Sequence, residues 1–428
     1  MNQIFKKKLT KLFLNYVEAA TPEICLKKIK SIKNNGKILI IGVGKASIPY
    51  CEHILPKIKS RFEGIIISTK IKNIPKNLKD FKIFFAGHPI PNKNGIIASQ
   101  FLITQVKKLK ENDLLLFVVS GGGSALLPAP PEGFSLKDEK LLNKKIINSG
   151  MTIQEINLIR KNFSMIKGGR LARIAYPSKI KTLVVSDIPG DDITQVASGP
   201  TLPSNGGASD AINCLNKYKI VLPEKILNHI KSHNNDIPNI NDLIFKKNSD
   251  ILLASAKQSM KSVCKLAKSM NLEAVVISDE SQGEAVDVAK KHASFIKDFM
   301  KVNNSKNSAR KFCFFSGGET SVTIKNDKGK GGRNTEYLLS LAIQFELLKI
   351  RSFFAIAADT DGIDGTENNA GAIIDENTLL KIRNKKLSPE VLLLENNSYL
   401  AFKKSGDLFV TGPTGTNVND FRAIIINY

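Results

Sequence analysis

KILIIGVGKAS, residues 37–47, joins an apolar run of strand length to a loop of glycine, lysine and serine. Ile38–Ile41 carry no polar side chain, the pattern of a strand buried on both faces, as in parallel sheets. Gly42 and Gly44 allow a tight turn. Lys45 then stands where a helix begins, and a helix N-terminus favours anions. The loop is not a Walker A motif, because Leu39 stands where glycine is required and Ala46 where Ser or Thr is required. Nor is it a complete GxGxxG, because Ser47 takes the third glycine position.

Outward from this stretch, five more apolar runs end in loops of the same kind: DLLLFVVSGGGSALL (113–127), KTLVVSDIPGDDITQVASGPT (181–201), KFCFFSGGETSVT (311–323), FFAIAADTDGIDG (353–365) and DLFVTGPTGTNVND (407–420). Ligands of open α/β sheets bind outside the carboxyl ends of strands, so these loops locate the chemistry. Strand-like runs near 37–42, 64–68, 81–86, 114–119 and 181–186 alternate with helix-like segments such as 94–110 and 138–148. That alternation predicts an α/β fold with largely parallel pairing. The polar, Asn-rich segment 231–250 places a domain boundary, giving residues 1–245 and 246–428 as two domains. The second is read as a strand (250–256), a helix (257–270), a strand (273–278), a helix (283–301), a loop (302–311) and then three of the six motif loops. Residues 317–320 and 329–334 read as parts of a strand–loop–strand.

The 428 residues carry 42% apolar and 24% charged side chains, enough for ordinary cores. No stretch approaches the ~20 apolar residues of a membrane span. The basic N-terminus has no uninterrupted apolar core and reads as an amphipathic helix, not a signal peptide. Five scattered cysteines with no CxxC spacing fit reduced thiols in a cytoplasmic enzyme. The net charge of +24 comes from lysines spread along the whole chain, in company with many Ile and Asn. That is a compositional signature first, and a field for anionic small substrates second. Nucleic-acid binding is not expected, since there is no long basic run and no interleaving of aromatic with basic residues.

Ser120, Gly121, Gly122, Gly123 and Ser124 form a flexible loop whose amides suit a phosphate or carboxylate. Ser124 is not in a nucleophile elbow, because Leu126 replaces the required glycine. The segment 157–172 presents Arg160, Lys167 and Arg170 on a helix that Gly168 and Gly169 weaken. Asp187, Asp191 and Asp192 follow a strand, where a carboxylate suits Mg²⁺ beside phosphate oxygens or caps a turn. Arg333, after two glycines, suits a carboxylate or phosphate gripped by two parallel bonds. Glu319, Asn334, Asp359, Asp361 and Asp420 lie in the neighbouring loops. The loop 359–365 is not an EF-hand, because Ile363 stands at a ligand position. His88, in AGHPIPN, is the only histidine in a motif-like setting, and a packed histidine explains it as well as a ligand does.

Taken in order, GVGKAS, AGHPIPN, SGGGSALL, RKNFSMIKGGRLA, SDIPGDDITQVASGPT, GGETSVT, GKGGRNTE, TDGIDG and TGPTGTNVND resemble the class II glycerate 2-kinase family, whose C-terminal part carries the MOFRL motif region. The resemblance spans roughly residues 40–420. It implies a Rossmann-like N-terminal domain, a smaller C-terminal α/β domain and an active site in the cleft between them. It implies ATP-dependent phosphorylation of D-glycerate at the 2-hydroxyl, with Mg²⁺; the expected assembly, which the resemblance does not fix, is a monomer or homodimer. The family's key lysine falls on Lys45 and its key arginine on Arg333. Gly44, residues 120–124, Lys167, Glu319, Asn334, Asp361 and Asp420 would bind substrate or nucleotide. Asp187, Asp359 or Asp361 would hold the metal or accept the hydroxyl proton. Asn92 and Asn162 depart from the family pattern, which has an acidic residue and a histidine there. The competing reading is an NAD(P)H-dependent reductase of hydroxypyruvate or tartronate semialdehyde, drawn from the GxG after a strand.

Overall fold

The computed structural model describes residues 2–71, 73–232, 237–303 and 311–427. The chain forms two compact units: residues 25–188 with 192–253, and residues 1–24 with 189–191 and 254–428.

The first unit is built on a six-stranded sheet in the order β3-β2-β1-β4-β5-β6: β1 Ile38–Val43, β2 Phe62–Ser68, β3 Lys82–Phe85, β4 Leu114–Val119, β5 Lys179–Val185 and β6 Ser249–Ala254. The pairings from β3 through β5 are parallel. This is the strand order of a dinucleotide-type Rossmann sheet, with its topological switch between β1 and β4. β1 and β4 are buried along their whole length, as their uninterrupted apolar runs require. One face, including Leu39, Ile41, Phe117 and Val119, packs on Ala98, Leu102 and Val106 of the helix Lys93–Val106 and on Leu171 and Ala175. On the other face, a Cβ at Gly42 would lie 2.5 Å from the Cys51 Sγ, so the helix Ser47–Ile54 approaches to backbone contact. A satellite cluster of helices around Ile146, Ile159, Phe163, Leu215 and Ile226 completes the unit.

The second sheet has the order β13-β12-β11-β14-β9-β7: β7 Glu273–Ser278, β9 Lys311–Ser316, β11 Phe353–Asp359, β12 Gly371–Asp375, β13 Leu408–Phe409 and β14 Asp420–Asn427. Two short strands, β8 Gly283–Glu284 and β10 Thr320–Ser321, pair separately. Only β7–β9 is parallel in the large sheet; its other pairings are antiparallel. The expectation of largely parallel pairing is therefore corrected for this unit. The eleven residues between β11 and β12 are too few for a helical crossover, so the chain turns back. Phe353, Ala355, Ala357, Ile424 and Ile426 alternate onto the face covered by the helices Ala285–Val302 and Arg333–Leu347. On the opposite face, Phe5 stacks on Phe354 at 4.6 Å, and Tyr16 lies 4.8 Å from Phe421.

Three further expectations differ from the structure. The strand read as opening the second domain is β6, which adds to the edge of the first sheet, and the first compact unit runs to Leu253 rather than to 245. The helix Asn2–Glu18 belongs with the second unit, because its apolar residues Phe5, Leu9, Phe13 and Tyr16, at helical spacing, are buried against that sheet. Residues 329–334 form no strand but lead straight into the helix at Arg333. Most of the loop expected at 302–311 lies outside the described residues.

Candidate active site

On the first unit, the loops after β1 and β4 interlock at the switch point. Lys45 N–H donates to Gly121 O at 2.9 Å, and Ala46 N–H donates to Ser120 Oγ at 3.1 Å. Gly44 has φ +120°, and a Cβ there would lie 2.2 Å from Ser120 Oγ, so the close approach requires glycine. Gly122, in the left-handed region at φ +82°, also leaves little room: its Cβ would meet His88 Cδ2 at 2.9 Å and Lys45 Cγ at 3.3 Å. A Cβ on Gly121 would lie 1.9 Å from Asp187 Oδ2. Lys45, His88 and Asp187 thus converge on one loop from the ends of three elements. The amides of Gly121, Gly122, Gly123 and Ser124 donate to no other described residue. Four such N–H groups beside a lysine form a nest for an anion.

Ser124 faces inward. Its Oγ lies 2.9 Å from Ser198 Oγ, which donates to Asn157 Oδ1, and Arg160 Nε donates to Asn143 Oδ1 at 2.8 Å. Arg160 Nη1 also donates to Asn157 Oδ1 at 3.3 Å, so Arg160 reaches Ser124 only through Asn157 and Ser198. Burial lowers Arg160 to about 10. Lys167, expected at the ligand, is corrected: it is 2% exposed, with Nζ 3.1 Å from Glu139 Oε1, in an ion pair sealed inside the unit. Gly168 and Gly169 are left-handed and break the helical segment, as their placement predicted, and their amides donate to Ser198 O and Gly199 O. Asp192 caps its own turn by accepting from Thr194 N–H, while Asp191 accepts from Ser255. The two departures from the family pattern are structural: Asn92 caps the helix Lys93–Val106 as an aspartate would, and Asn162 donates to Leu158 O.

On the second unit, Arg333 opens its helix and is held by three carboxylates. Its Nε donates to Asp420 Oδ1 at 2.8 Å, Nη2 to Asp359 Oδ2 at 2.6 Å and Nη1 to Glu319 Oε1 at 2.5 Å. Burial opposes the Arg333 charge, but Asp420, Glu319 and Asp359 outweigh it and hold the guanidinium well above its ordinary value. Burial also lifts the Asp359 carboxyl well above the usual carboxylate range; Arg333 pulls it down, and Asp361 and Asp420 push it up. Both Asp359 oxygens are engaged, since Oδ1 accepts the Asp361 N–H at 3.0 Å. Asn334 Nδ2 donates to Asp420 Oδ1 at 2.8 Å. The structure therefore brings Glu319, Arg333, Asn334, Asp359 and Asp420 together, with Asp361 adjoining.

Three residues of these clusters went unassigned in the sequence. His88, which its sequence setting does not assign, lies against the SGGGS loop. Asp364 is fully buried and accepts from Asn334 N–H, Thr335 N–H and Thr335 Oγ1, which caps the Arg333 helix. Arg422 is buried 5.0 Å from the Tyr337 ring centroid and donates to Asp420 Oδ2 at 2.7 Å. A lone arginine in the apolar run DFRAIIIN was the available signal, since buried charges are paired.

Family models match twice: a domain described as "Domain of unknown function (DUF4147)" over residues 8–231, and the MOFRL family over residues 312–420. The chain is 35% identical to a D-glycerate 2-kinase of Thermotoga maritima, over 97% of each chain. It is 39% identical to a putative hydroxypyruvate reductase of Agrobacterium vitis, over 91% of this chain and all of the relative. The crystal structure of glycerate kinase from Thermotoga maritima is similar along the whole length of both chains, with a TM-score of 0.83 at 33% identity.

Proposed function

This chain belongs to the MOFRL-bearing glycerate 2-kinase family, and from that premise we infer that it transfers the γ-phosphoryl group of ATP to the 2-hydroxyl of D-glycerate, giving 2-phosphoglycerate and ADP. The observation that carries the reading is the nest of four amides at residues 121–124, set at the β1/β4 switch with Lys45 against it. Phosphoryl transfer asks the protein chiefly for positioning and charge stabilisation. The nest and Lys45 supply N–H donors and a cation for phosphate oxygens. Arg333 supplies a guanidinium for the glycerate carboxylate or the transferring group. Asp187 accepts the 2-hydroxyl proton or binds metal.

Mg²⁺ belongs to the proposal as well. No group of three or more His, Cys, Asp or Glu side chains among the described residues forms a ready metal cage. That fits Mg²⁺, which is commonly held by one or two carboxylates together with substrate phosphates. Asp187, beside the nest, is such a carboxylate; Asp359, with both oxygens engaged, suits the role less. The ion, when bound, would neutralise charge on the phosphates. No helix among the described residues is long and apolar enough to cross a membrane, and all five cysteines are thiols, which supports a cytoplasmic enzyme.

Purified protein incubated with ATP, Mg²⁺ and D-glycerate, with the product fed to an enolase-coupled step, tests this reading. 2-Phosphoglycerate is expected. No ATP consumption, together with NADH oxidation on hydroxypyruvate, would replace it with the reductase named for the Agrobacterium relative.

A further inference from the structure

Glu319 stands apart from the other carboxylates on Arg333. Asp420 is fully buried and tied through Oδ2 to Arg422 and through Oδ1 to Asn334, while Asp359 is 7% exposed at its side chain and receives the Asp361 amide. The Glu319 side chain is 49% exposed, and Arg333 is its only hydrogen-bond partner among the described residues. Its stem is rigid: Gly318 sits at φ +90°, where a Cβ would lie 2.3 Å from Ser281 N, and Thr320 begins β10. A half-exposed carboxylate thus projects from a fixed turn onto Nη1 of the guanidinium.

The charges make this consequential. Arg333 and Arg422 face Asp359, Asp420 and Glu319, with Asp361 adjoining, so the cluster already holds more carboxylates than guanidinium groups. An incoming anion finds no excess positive charge on Arg333 unless one carboxylate leaves, and only Glu319 is free of other ties. We propose that Glu319 is a displaceable counter-ion, which occupies the anion position of Arg333 in the empty protein and sets how tightly that position holds substrate. The inference rests on Arg333 being a substrate contact, as proposed above. Glu319 is then a specificity-determining residue: it exchanges with an anion of matching geometry and holds weaker anions off.

The test compares the intact protein with E319Q, R333M and the double variant. Affinities for D-glycerate, ATP and inorganic phosphate are measured by titration calorimetry, and KM and kcat by the coupled assay. Gln keeps the shape and removes the charge. E319Q is expected to bind at least one of these anions about two- to fivefold more tightly, the scale of a part-exposed ion pair. In the R333M background the same change should have no effect. Unchanged or weaker binding in E319Q would overturn the proposal. So would a hundredfold fall in kcat, or a raised Mg²⁺ requirement, since Glu319 would then act in the chemistry or on the metal. Normal binding and turnover in R333M would instead refute the assignment of Arg333 itself, and a tighter E319Q is not expected in that case because Glu319 has nothing to compete for.

Discussion

Replacing Arg333 with methionine keeps the stem and removes the charge at the centre of the second cluster. Breaking a buried ion pair by deleting one partner costs about 3–5 kcal/mol. Here Asp420 retains Arg422 at 2.7 Å and Glu319 is half exposed, so the carboxylate left uncompensated is Asp359. The loss at pH 7 is therefore set at the low end, about 3 kcal/mol. That corresponds to a melting-temperature drop of about 6–12 °C for a unit of this size. The sign of the pH dependence follows from Asp359. Burial already holds its carboxyl above the unfolded value, and deleting Arg333 removes the group that pulls it down. A carboxyl raised in the folded state penalises folding fully above its folded pKa, and the penalty vanishes as pH falls towards the unfolded value of about 4. Denaturant or thermal unfolding at pH 4 to 8 should show the gap between the intact protein and R333M widest at neutral pH and closing towards pH 4. A gap below about 1 kcal/mol at pH 7, or one of constant size across that range, would refute the argument.

Lys45→Ala should lower kcat about 10²–10³-fold with the melting temperature unchanged, read from the coupled assay and a thermal melt. Gly121→Ala places a methyl where Asp187 Oδ2 now lies, 1.9 Å from the ideal Cβ, so the rate at saturating ATP should fall as well; full activity would show that Asp187 has no fixed role there. Lys161 is 3% exposed, and burial, partly offset by Asp192, lowers it to about 8. Since that is below its unfolded value, the charged form destabilises the fold at pH 7, and Lys161→Met should gain about 1–3 kcal/mol, the gain fading as pH rises past 8 towards 10.5. The Lys217 ammonium, with the Thr152 amide, holds Glu155 down at about 2. Its contribution is present above the unfolded value and lost as pH falls towards 2, so acid unfolding of Glu155→Gln should be shallower than that of the intact protein.

The first sheet was legible because parallel strands buried on both faces read as unbroken apolar runs; β4, at 114–119, lies where its sequence placed it. The two loops of the nest were legible because glycine triplets and a strand-end lysine have few structural uses. Lys167 was not, because a lysine beside two glycines reads alike whether it faces a ligand or Glu139, 28 residues back in the chain. Nor could β6 or the helix Asn2–Glu18 be assigned to their units, since an apolar face does not say which apolar face it meets. Asp364 acts through Asn334 and Thr335, 30 and 29 residues away, and Arg422, besides Asp420 two residues back, donates to Gly317 and Thr320 more than 100 residues away, distances no local pattern spans.

The helix Asn2–Glu18, packed on β11 and β14, gives the chain an awkward order of manufacture. Phe5, Phe13 and Tyr16 are synthesised first, yet the strand carrying Phe421 emerges roughly 400 residues later. At ~5–20 residues per second that interval is on the order of 20–80 s. Once β6 has emerged the first sheet has everything it needs to close, while the helix still waits with its apolar stripe uncovered. A segment made before either sheet is thus among the last to be buried, and until β14 emerges it lies open to chaperones, proteases and other nascent chains.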